Sequence, residues 1–374
     1  MNKEDLKKMK FICNKSELCE AISNVSKAVS SKSTIPALEG IKIKISPDEI
    51  ELTGYNLEMG IRTSIKSTTE DSGEIVVNAK LFNEFTKRMT DEEIYFEVND
   101  NLVINISCNS TECSFSAMSA EEYPDLPVVN SDKSFRVKNS VLKSMIEQTR
   151  HAVSMNENKP ILTGELFDIN DEKFNMVAID GFRLAIRCET IENQGNYQFV
   201  VPKKTLNDLS MLIKDNSECI IYTNDRHIIF ETGNVFIISR LLEGTFHNYK
   251  HSIPPEHKTE VIINKREFIN CLERYSLIID EKNKAPIHCE VGNNTVKLDC
   301  KTGIGKINDS ITADVTGESL IIGFNHRLMA DAIKAADGDK VRLRFNGSKK
   351  VIEILPLEGD NFIFLVMPVS LKNA

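Results

Sequence analysis

Residues that could perform catalysis are present in this chain, but their spacing matches no catalytic or metal-binding motif. There are seven histidines and nine cysteines. The sequence contains no HExxH pair for zinc, no GxSxG for a nucleophilic serine and no GxxxxGK[ST] for a nucleotide phosphate. Gly303 and Gly305 form a GxG without a third glycine, and Asp180-Gly181 has no base or nucleophile at a recognisable spacing. We therefore expect no catalytic residue, no metal and no cofactor.

The cysteines are odd in number and scattered, without a CxxC pair or a Cys/His cluster. This usage indicates reduced thiols in a cytosolic chain instead of a disulfide framework or a zinc site. Residues 1–8 are charged and have no apolar segment, so they do not form a secretory signal. No apolar run approaches the ~18 residues that a membrane span needs. The predicted location is the cytoplasm.

The elements that position the side chains recur at a period of about 125 residues. Two sets of positions mark predicted helix starts in the three copies: Asn14, Asn139 and Asn264, then Asn78, Pro202 and Asn325. A repeat of this length is a whole domain and not a solenoid unit. We predict an N-terminal extension at 1–8, which precedes domains at 9–133, 134–257 and 258–374.

Each copy has the pattern of an α+β domain. In the first copy Leu18, Ala21, Ile22 and Val25 share one helix face. Asparagine at the helix starts predicts N-caps, and Pro202 suits a first helical turn because it has no N–H to lose there. Alternating β-branched runs bounded by turn residues predict antiparallel strands at 40–45, 50–52, 60–65, 94–98, 102–106 and 113–117. The prediction is two helices per domain, six in all, packed on antiparallel sheets.

The charge distribution is uneven. The chain has a formal net charge of −9, but the six windows that contain the predicted helices sum to +10, which leaves −19 for the rest. Clustered positive charge on similar helices is compatible with a nucleic-acid surface. Solvent-facing lysines that serve only solubility are the alternative interpretation.

Three local motifs, in this order within a threefold repeat, resemble the bacterial DNA polymerase sliding clamps, the beta subunits of the DNA polymerase III holoenzyme. They are Glu122–Pro127 (EYPDLP), Ala178–Ala185 (AIDGFRLA) and Leu365–Leu371 (LVMPVSL). The resemblance extends from Met9 to Leu371. It implies a head-to-tail homodimer whose six domains close a ring around duplex DNA, with helices inside and sheet outside. The implied role is a non-catalytic processivity factor.

The resemblance also implies a groove in which the replicative polymerase, the clamp loader and repair proteins insert a short peptide with apolar residues. By position, the groove residues are Leu162, Ile179, Gly181, Phe182, Arg183, Leu184, His247, His251, Ser252, Asn325, Leu328, Val366, Met367, Pro368, Val369 and Leu371. Packing of the last strand alone is the alternative explanation of this tail. Val369 and Leu371 favour the groove because they lie beyond Pro368, where a core strand should have ended.

Two further sets follow from the resemblance. The residues that face DNA are Lys32, Asn156, Lys159, Lys203 and Lys204. The residues that close the ring are Phe82, Cys113, Phe115, Leu277 and Ile278, and for Phe82 an ordinary core position is the alternative.

The chain departs from the family pattern at several of these places. Pro160 and Ile161 replace an aromatic pair, which weakens the case for stacking on single-stranded DNA. His247, His251 and Ser370 also differ, which indicates a changed peptide preference. A three-domain scaffold that binds proteins without encircling DNA is the alternative function.

Overall fold

In the computed structural model, residues 9–69, 71–90, 92–108, 111–129, 133–192, 195–214, 217–280 and 285–371 are described. The predicted extension at 1–8 lies outside them. The chain divides into two compact units, residues 1–140 with 207–241 and residues 141–206 with 242–374. Among the described residues, each unit holds one nine-stranded and one four-stranded antiparallel sheet.

The helices and strands follow one another along the chain in the order β1 (Met9–Asn14), α1 (Lys15–Val25), β2 (Gly40–Ser46), β3 (Glu49–Tyr55), β4 (Met59–Lys66), β5 (Gly73–Asn78), α2 (Ala79–Arg88), β6 (Glu93–Val98), β7 (Val103–Cys108), β8 (Thr111–Ser116), β9 (Met118–Ser119), β10 (Lys133–Lys138), α3 (Asn139–Thr149), β11 (Gly164–Asn170), β12 (Lys173–Ile179), β13 (Arg183–Thr190), β14 (Asn196–Pro202), α4 (Lys203–Leu212), β15 (Glu218–Thr223), β16 (His227–Thr232), β17 (Val235–Arg240), β18 (Thr259–Asn264), α5 (Lys265–Tyr275), β19 (Ile287–Gly292), β20 (Thr295–Lys301), β21 (Lys306–Thr312), β22 (Asp314–Gly317), β23 (Leu320–Phe324), α6 (His326–Ala335), β24 (Lys340–Phe345), β25 (Ile352–Leu355) and β26 (Phe362–Val366).

In the first unit the large sheet has the order β10-β15-β16-β17-β4-β3-β2-β5-β9, and the small sheet has the order β1-β6-β7-β8. In the second unit the orders are β14-β11-β12-β13-β26-β25-β24-β18-β22 and β21-β20-β19-β23. The pairs β17·β4 and β13·β26 join strands from different predicted repeats. Each large sheet therefore continues from one repeat into another.

The helices begin where the asparagines predict. The side-chain oxygen of Asn14 accepts from the backbone N–H of Ser16 and Glu17, and Asn78, Asn264 and Asn325 cap α2, α5 and α6 in the same way. Such a cap satisfies donors that the first helical turn leaves unpaired. These N-caps are confirmed.

The other two helix starts differ from that pattern. Asn139 is already the first residue of α3, and its side-chain amide donates to Ser217 Oγ and Thr232 Oγ1. Pro202 ends β14 and directly precedes α4, so its predicted place inside the first turn was wrong by one residue.

The apolar faces pack as their periods predict. Helix α1 buries Leu18, Ala21, Ile22 and Val25 against the first unit's large sheet. In the second unit one cluster of buried residues holds α5, α6 and the strands around them, with Phe268, Phe324 and Phe364 nearly inaccessible. The described residues contain six α-helices and antiparallel strand pairs, so the predicted α+β class is confirmed. None of these helices is long and apolar enough to cross a membrane.

Candidate functional site: an apolar groove beside the last strand

A cavity of about 600 Å³ opens on the second unit. Its walls come from the 3-10 turn Pro160–Leu162, the end of β12, the start of β13, the segment 245–252 and the end of β26. The lining residues are Lys159, Ile161, Leu162, Ile179, Gly181, Arg183, Leu184, Thr245, His247, Ser252, Val351, Leu365 and Met367. Below it, Leu184 and Leu365 belong to a buried apolar cluster with Leu166, Val177 and Tyr249. The groove therefore has a rigid apolar floor.

The structure brings together half of the predicted groove residues. Those that line the cavity are Leu162, Ile179, Gly181, Arg183, Leu184, His247, Ser252 and Met367. Ile161, Thr245, Val351 and Leu365 also line it but were not predicted as groove residues. Leu365 sits in the C-terminal motif and could have been found by its place next to Val366; nothing in the local sequence marks Thr245 or Val351.

The other predicted groove residues lie elsewhere. Val366 is fully buried in the core, Asn325 caps α6 and Leu328 packs against the core. Phe182 (66 % exposed), His251, Pro368, Val369 and Leu371 do not line the cavity. The backbone N–H of Val369 donates to Gly323 O at 2.8 Å, and a Cβ on Gly323 would lie 2.7 Å from Leu371 Cδ2. The tail beyond Pro368 therefore packs along β23.

A tight loop links β12 to β13 at one edge of the groove. Asp180 Oδ1 accepts from the N–H of Phe182 at 2.9 Å and of Arg183 at 3.0 Å. Gly181 has φ +91°, a conformation that favours glycine. The N–H of Met367 donates to Phe182 O at 2.8 Å. The loop thereby holds Phe182 in solvent and ties β26 to the groove edge.

Arg183 is held by two carboxylates. Its Nε lies 3.0 Å from Asp180 Oδ2, and its Nη1 lies 2.6 Å from Asp331 Oδ2 on α6. The side chain is only 14 % exposed. Burial, with the Arg183 charge acting in the same direction, lowers the pKa of nearby His151 to about 4, so this imidazole is neutral at physiological pH. The guanidinium is thus fixed and its charge is compensated, as expected for a residue that orders the groove edge.

The predicted DNA-facing residues lie in both units. Lys32 is exposed in the first unit, between α1 and β2. In the second unit Lys203 and Lys204 open α4, and Lys203 Nζ lies 3.5 Å from Met155 Sδ. Asn156 and Lys159 are exposed on the loop that follows Met155, so the structure brings this loop next to the start of α4. Lys159 also lines the groove, which was not predicted.

Comparisons with known proteins agree with this geometry. Three family models match in order: the N-terminal domain of the DNA polymerase III beta subunit at residues 9–127, its central domain at 136–248 and its C-terminal domain at 250–370. The chain belongs to the DNA polymerase III beta subunit family. It is 33% identical to the beta sliding clamp of Bacillus subtilis, over 96% of this chain and 99% of that protein, and 34% identical to that of Halalkalibacterium halodurans with the same coverage.

Solved structures show the same fold. The sliding clamp of Bacillus subtilis superimposes with a TM-score of 0.94 at 31% identity, over 98% of this chain and 100% of that one. A putative beta subunit from Eubacterium rectale gives 0.91 at 34% identity, over 96% and 99%. The predicted family and clamp fold are confirmed, and the chain is a sliding clamp, a non-catalytic subunit of the polymerase. The described residues hold no group of three or more His, Cys, Asp or Glu suited to a metal ion.

In this clamp the predicted ring-closing residues differ in accessibility. Phe82 is fully buried and contacts Phe96 and Phe115 edge-on, so it lies in the core of its own chain, the alternative that the sequence left open. Cys113 and Phe115 lie half-buried on β8, an outermost strand of its sheet. Leu277 is 76 % exposed just after α5, whereas Ile278 is buried.

Glu165 is a fully buried carboxyl close to Lys203, one of the predicted DNA-facing residues. The hydroxyl of Thr149 lies within donating distance of two acceptors, Met145 O at 2.8 Å and Glu165 Oε2. Glu165 Oε1 is buried without a partner among the described residues. Burial raises the pKa of Glu165 to about 8, although the Thr149 contact and the charges of Lys203 and Arg150 oppose this. The Glu165 carboxyl is therefore mostly protonated at neutral pH.

Replacing Glu165 by Gln should change how stability depends on pH. The folded pKa lies above the ordinary glutamate value, so the unfolded chain releases this proton first and the wild type loses stability from about pH 4.5 up to about pH 8. We expect the melting temperature of Glu165→Gln to rise relative to wild type across this window and the difference to level off above it. Melting curves at a series of pH values measure this, with the exposed Glu147→Gln as the control. Parallel curves for wild type and Glu165→Gln would show an ionised Glu165.

Proposed function

We propose that two copies of this chain close head to tail into a ring around duplex DNA, slide on it, and tether the replicative polymerase, the clamp loader and repair proteins through the apolar groove. The observation that carries this proposal is the succession of all three beta-subunit domains across residues 9–370. A further support is that the chain covers 99% of the length of the Bacillus subtilis sliding clamp.

The edge strands support ring closure. β8 and β21 are outermost strands of the two small sheets, and nothing among the described residues pairs with their outer edges. An open strand edge is a template for pairing with another chain. Phe115 and Cys113 lie on β8. Leu277 is exposed just after α5, the helix that packs against β21. We assign these residues to the contact between the two copies.

Charging Leu277 tests this interface. Leu277 is exposed, so Leu277→Asp should leave the fold intact but place an unpaired charge in the apolar contact, which costs several kcal/mol. We expect a folded monomer in sedimentation-velocity experiments at micromolar concentration. Val128→Asp is the matched control, because Val128 is 83 % exposed away from these elements, and it should remain dimeric. A dimeric Leu277→Asp protein would contradict the assignment.

The proposed DNA contact is electrostatic and independent of sequence. A ring retained by its closure needs only modest attraction to phosphates, and lysines supply it without fixing a register on the bases. Lys32 and Lys204 are exposed, and Lys203 opens α4 next to the loop with Asn156. These positions suit phosphate contacts.

Replacing Lys32, Lys203 and Lys204 together by Ala should weaken DNA association and reduce its salt dependence. Each lost phosphate contact lowers the log–log slope by roughly one unit. Titration of a fluorescent duplex at several salt concentrations measures the slope. The control replaces Lys66, Lys173 and Lys340, which are also exposed lysines. An unchanged slope in the first variant, or an equal change in the control, would favour a scaffold that does not bind DNA.

The groove is the proposed binding site for partner peptides. It combines an apolar floor with an exposed methionine, whose flexible side chain adapts to different apolar anchors. Its position beside an ordered loop and a paired strand indicates a largely preformed site, which lowers the entropic cost of binding.

Shortening Met367 tests the groove. Met367 is 45 % exposed at the cavity wall, so Met367→Ala should reduce the affinity for an apolar peptide about tenfold with little loss of stability. Met155→Ala is the matched control, because Met155 is 81 % exposed outside the cavity. Calorimetric titration of a peptide with leucine anchors into each dimer measures the affinity. Equal affinities for wild type and Met367→Ala would remove Met367 from the binding site.

A further inference from the structure

The charged lining of the groove has one sign. Lys159 and Arg183 contribute to the cavity, and none of the residues described in its lining is an aspartate or a glutamate. The whole chain carries a formal net charge of −9, so an acid-free lining is not explained by its average composition. The groove therefore disfavours an incoming cation and accepts an incoming anion.

Arg183 does not provide the site for that anion. Its guanidinium already faces Asp180 Oδ2 at 3.0 Å and Asp331 Oδ2 at 2.6 Å, and two carboxylates exceed its single positive charge. Asp331 comes from α6 and Asp180 from the loop before β13, so Arg183 joins two elements instead of facing the open groove. A ligand carboxylate at this end would meet two like charges.

The ammonium group of Lys159 is not held by carboxylates as the guanidinium of Arg183 is. No carboxylate among the described residues lies within 4.0 Å of its ammonium group, and the residue is exposed. Its backbone is anchored, because its N–H donates to Asn156 O at 3.1 Å and its carbonyl accepts from Leu162 N at 3.0 Å. The turn that starts at Lys159 carries Ile161 and Leu162 into the cavity. The ammonium group of Lys159 therefore has no compensating carboxylate among the described residues, and it belongs to the turn that supplies the apolar wall of Ile161 and Leu162.

We propose that Lys159 determines specificity in the groove by pairing with a carboxylate adjacent to the apolar anchors of the bound peptide. The carboxylate belongs to an aspartate or glutamate side chain or to the peptide's C-terminus; both present the same group to the ammonium. This inference rests on the proposed function of the groove. It also transfers Lys159 from the DNA-facing set to the peptide site. Of the two cations in the lining, only Lys159 is without a carboxylate partner among the described residues, so the ligand carboxylate is expected to bind there.

The test uses one peptide with leucine anchors in four forms. Three have both ends capped and carry a flanking Glu, Gln or Lys, and the fourth carries Gln and a free C-terminal carboxylate. Each is titrated calorimetrically into the wild-type dimer and into Lys159→Glu at pH 7.5, where imidazole protonation contributes little. Lys340→Glu is the control, an exposed lysine outside the cavity lining that undergoes the same charge change.

We expect the wild type to prefer Glu over Lys by about tenfold or more, and Lys159→Glu to reverse this order while the affinity for the capped Gln peptide stays within about twofold. Lys340→Glu should behave as the wild type. Binding of the free C-terminus in preference to the capped Gln form would identify the terminal carboxylate as a second source of the recognised group. If the peptides bind the wild type equally well, or if Lys159→Glu weakens all of them alike, the inference about Lys159 is overturned and the groove remains. If no form binds the wild type, the groove proposal itself is overturned and this inference with it.

Discussion

The antiparallel pairing of β13 with β26 is the interaction on which the groove depends. In its register Arg183 lies opposite Val366 and Leu184 opposite Leu365. Side chains alternate between the two faces of a strand, so Phe364 and Val366 pack into the main core while Leu365 joins the floor of the groove. A shift by one residue would exchange these faces and remove the floor. The pairing also brings Met367 to the loop at Phe182, which makes the C-terminal strand one wall of a site whose other walls come from the middle of the chain.

The charged residues discussed above are of two kinds: those held inside the fold and those exposed on its surface. Arg183 is held in a partly buried ion-pair network with Asp180 and Asp331, and it joins α6 to the groove edge. Glu165, although acidic, is mostly protonated at neutral pH because burial raises its pKa by more than the contact with Thr149 lowers it. The charges proposed for binding belong to exposed lysines, for which a contact with phosphate or carboxylate needs little desolvation. The binding properties of this chain therefore cannot be inferred from its net charge. They depend on where each charged residue lies and on which groups it pairs with.

The local structure was largely predictable because it depends on neighbours in sequence. Asparagine caps, the 3.6-residue period of α1 and the alternation of β6 all follow from nearby residues. The groove was predictable only in part. Leu162, Ile179 and Met367 were predicted from the resemblance of the chain to the family. Val351 lines the cavity through tertiary contacts that no local sequence pattern shows.

Other features depend on tertiary contacts that the sequence does not show. Val369 and Leu371 lie beyond a proline, which favoured a place in the groove, but they do not line the cavity: the N–H of Val369 bonds to Gly323 O, and Leu371 lies against Gly323. Burial of Phe82 depends on Phe96 and Phe115, which come from other strands. Lys159 was predicted by position to face DNA, and its place in the lining of the groove could not be read from the sequence. The charge environment of a residue is set by the fold and not by its immediate neighbours.

The central claim is that this protein holds DNA by encircling it. The most direct measurement is retention of the clamp-loaded protein on closed circular DNA, compared with the same DNA after a single cut by a restriction enzyme, with both samples passed through a gel-filtration column at high salt. The account predicts that the protein stays with the circle and leaves the linear molecule, because a ring slides off free ends whereas salt screens the phosphate contacts. Equal retention on both DNAs, or equal loss from both, would contradict it.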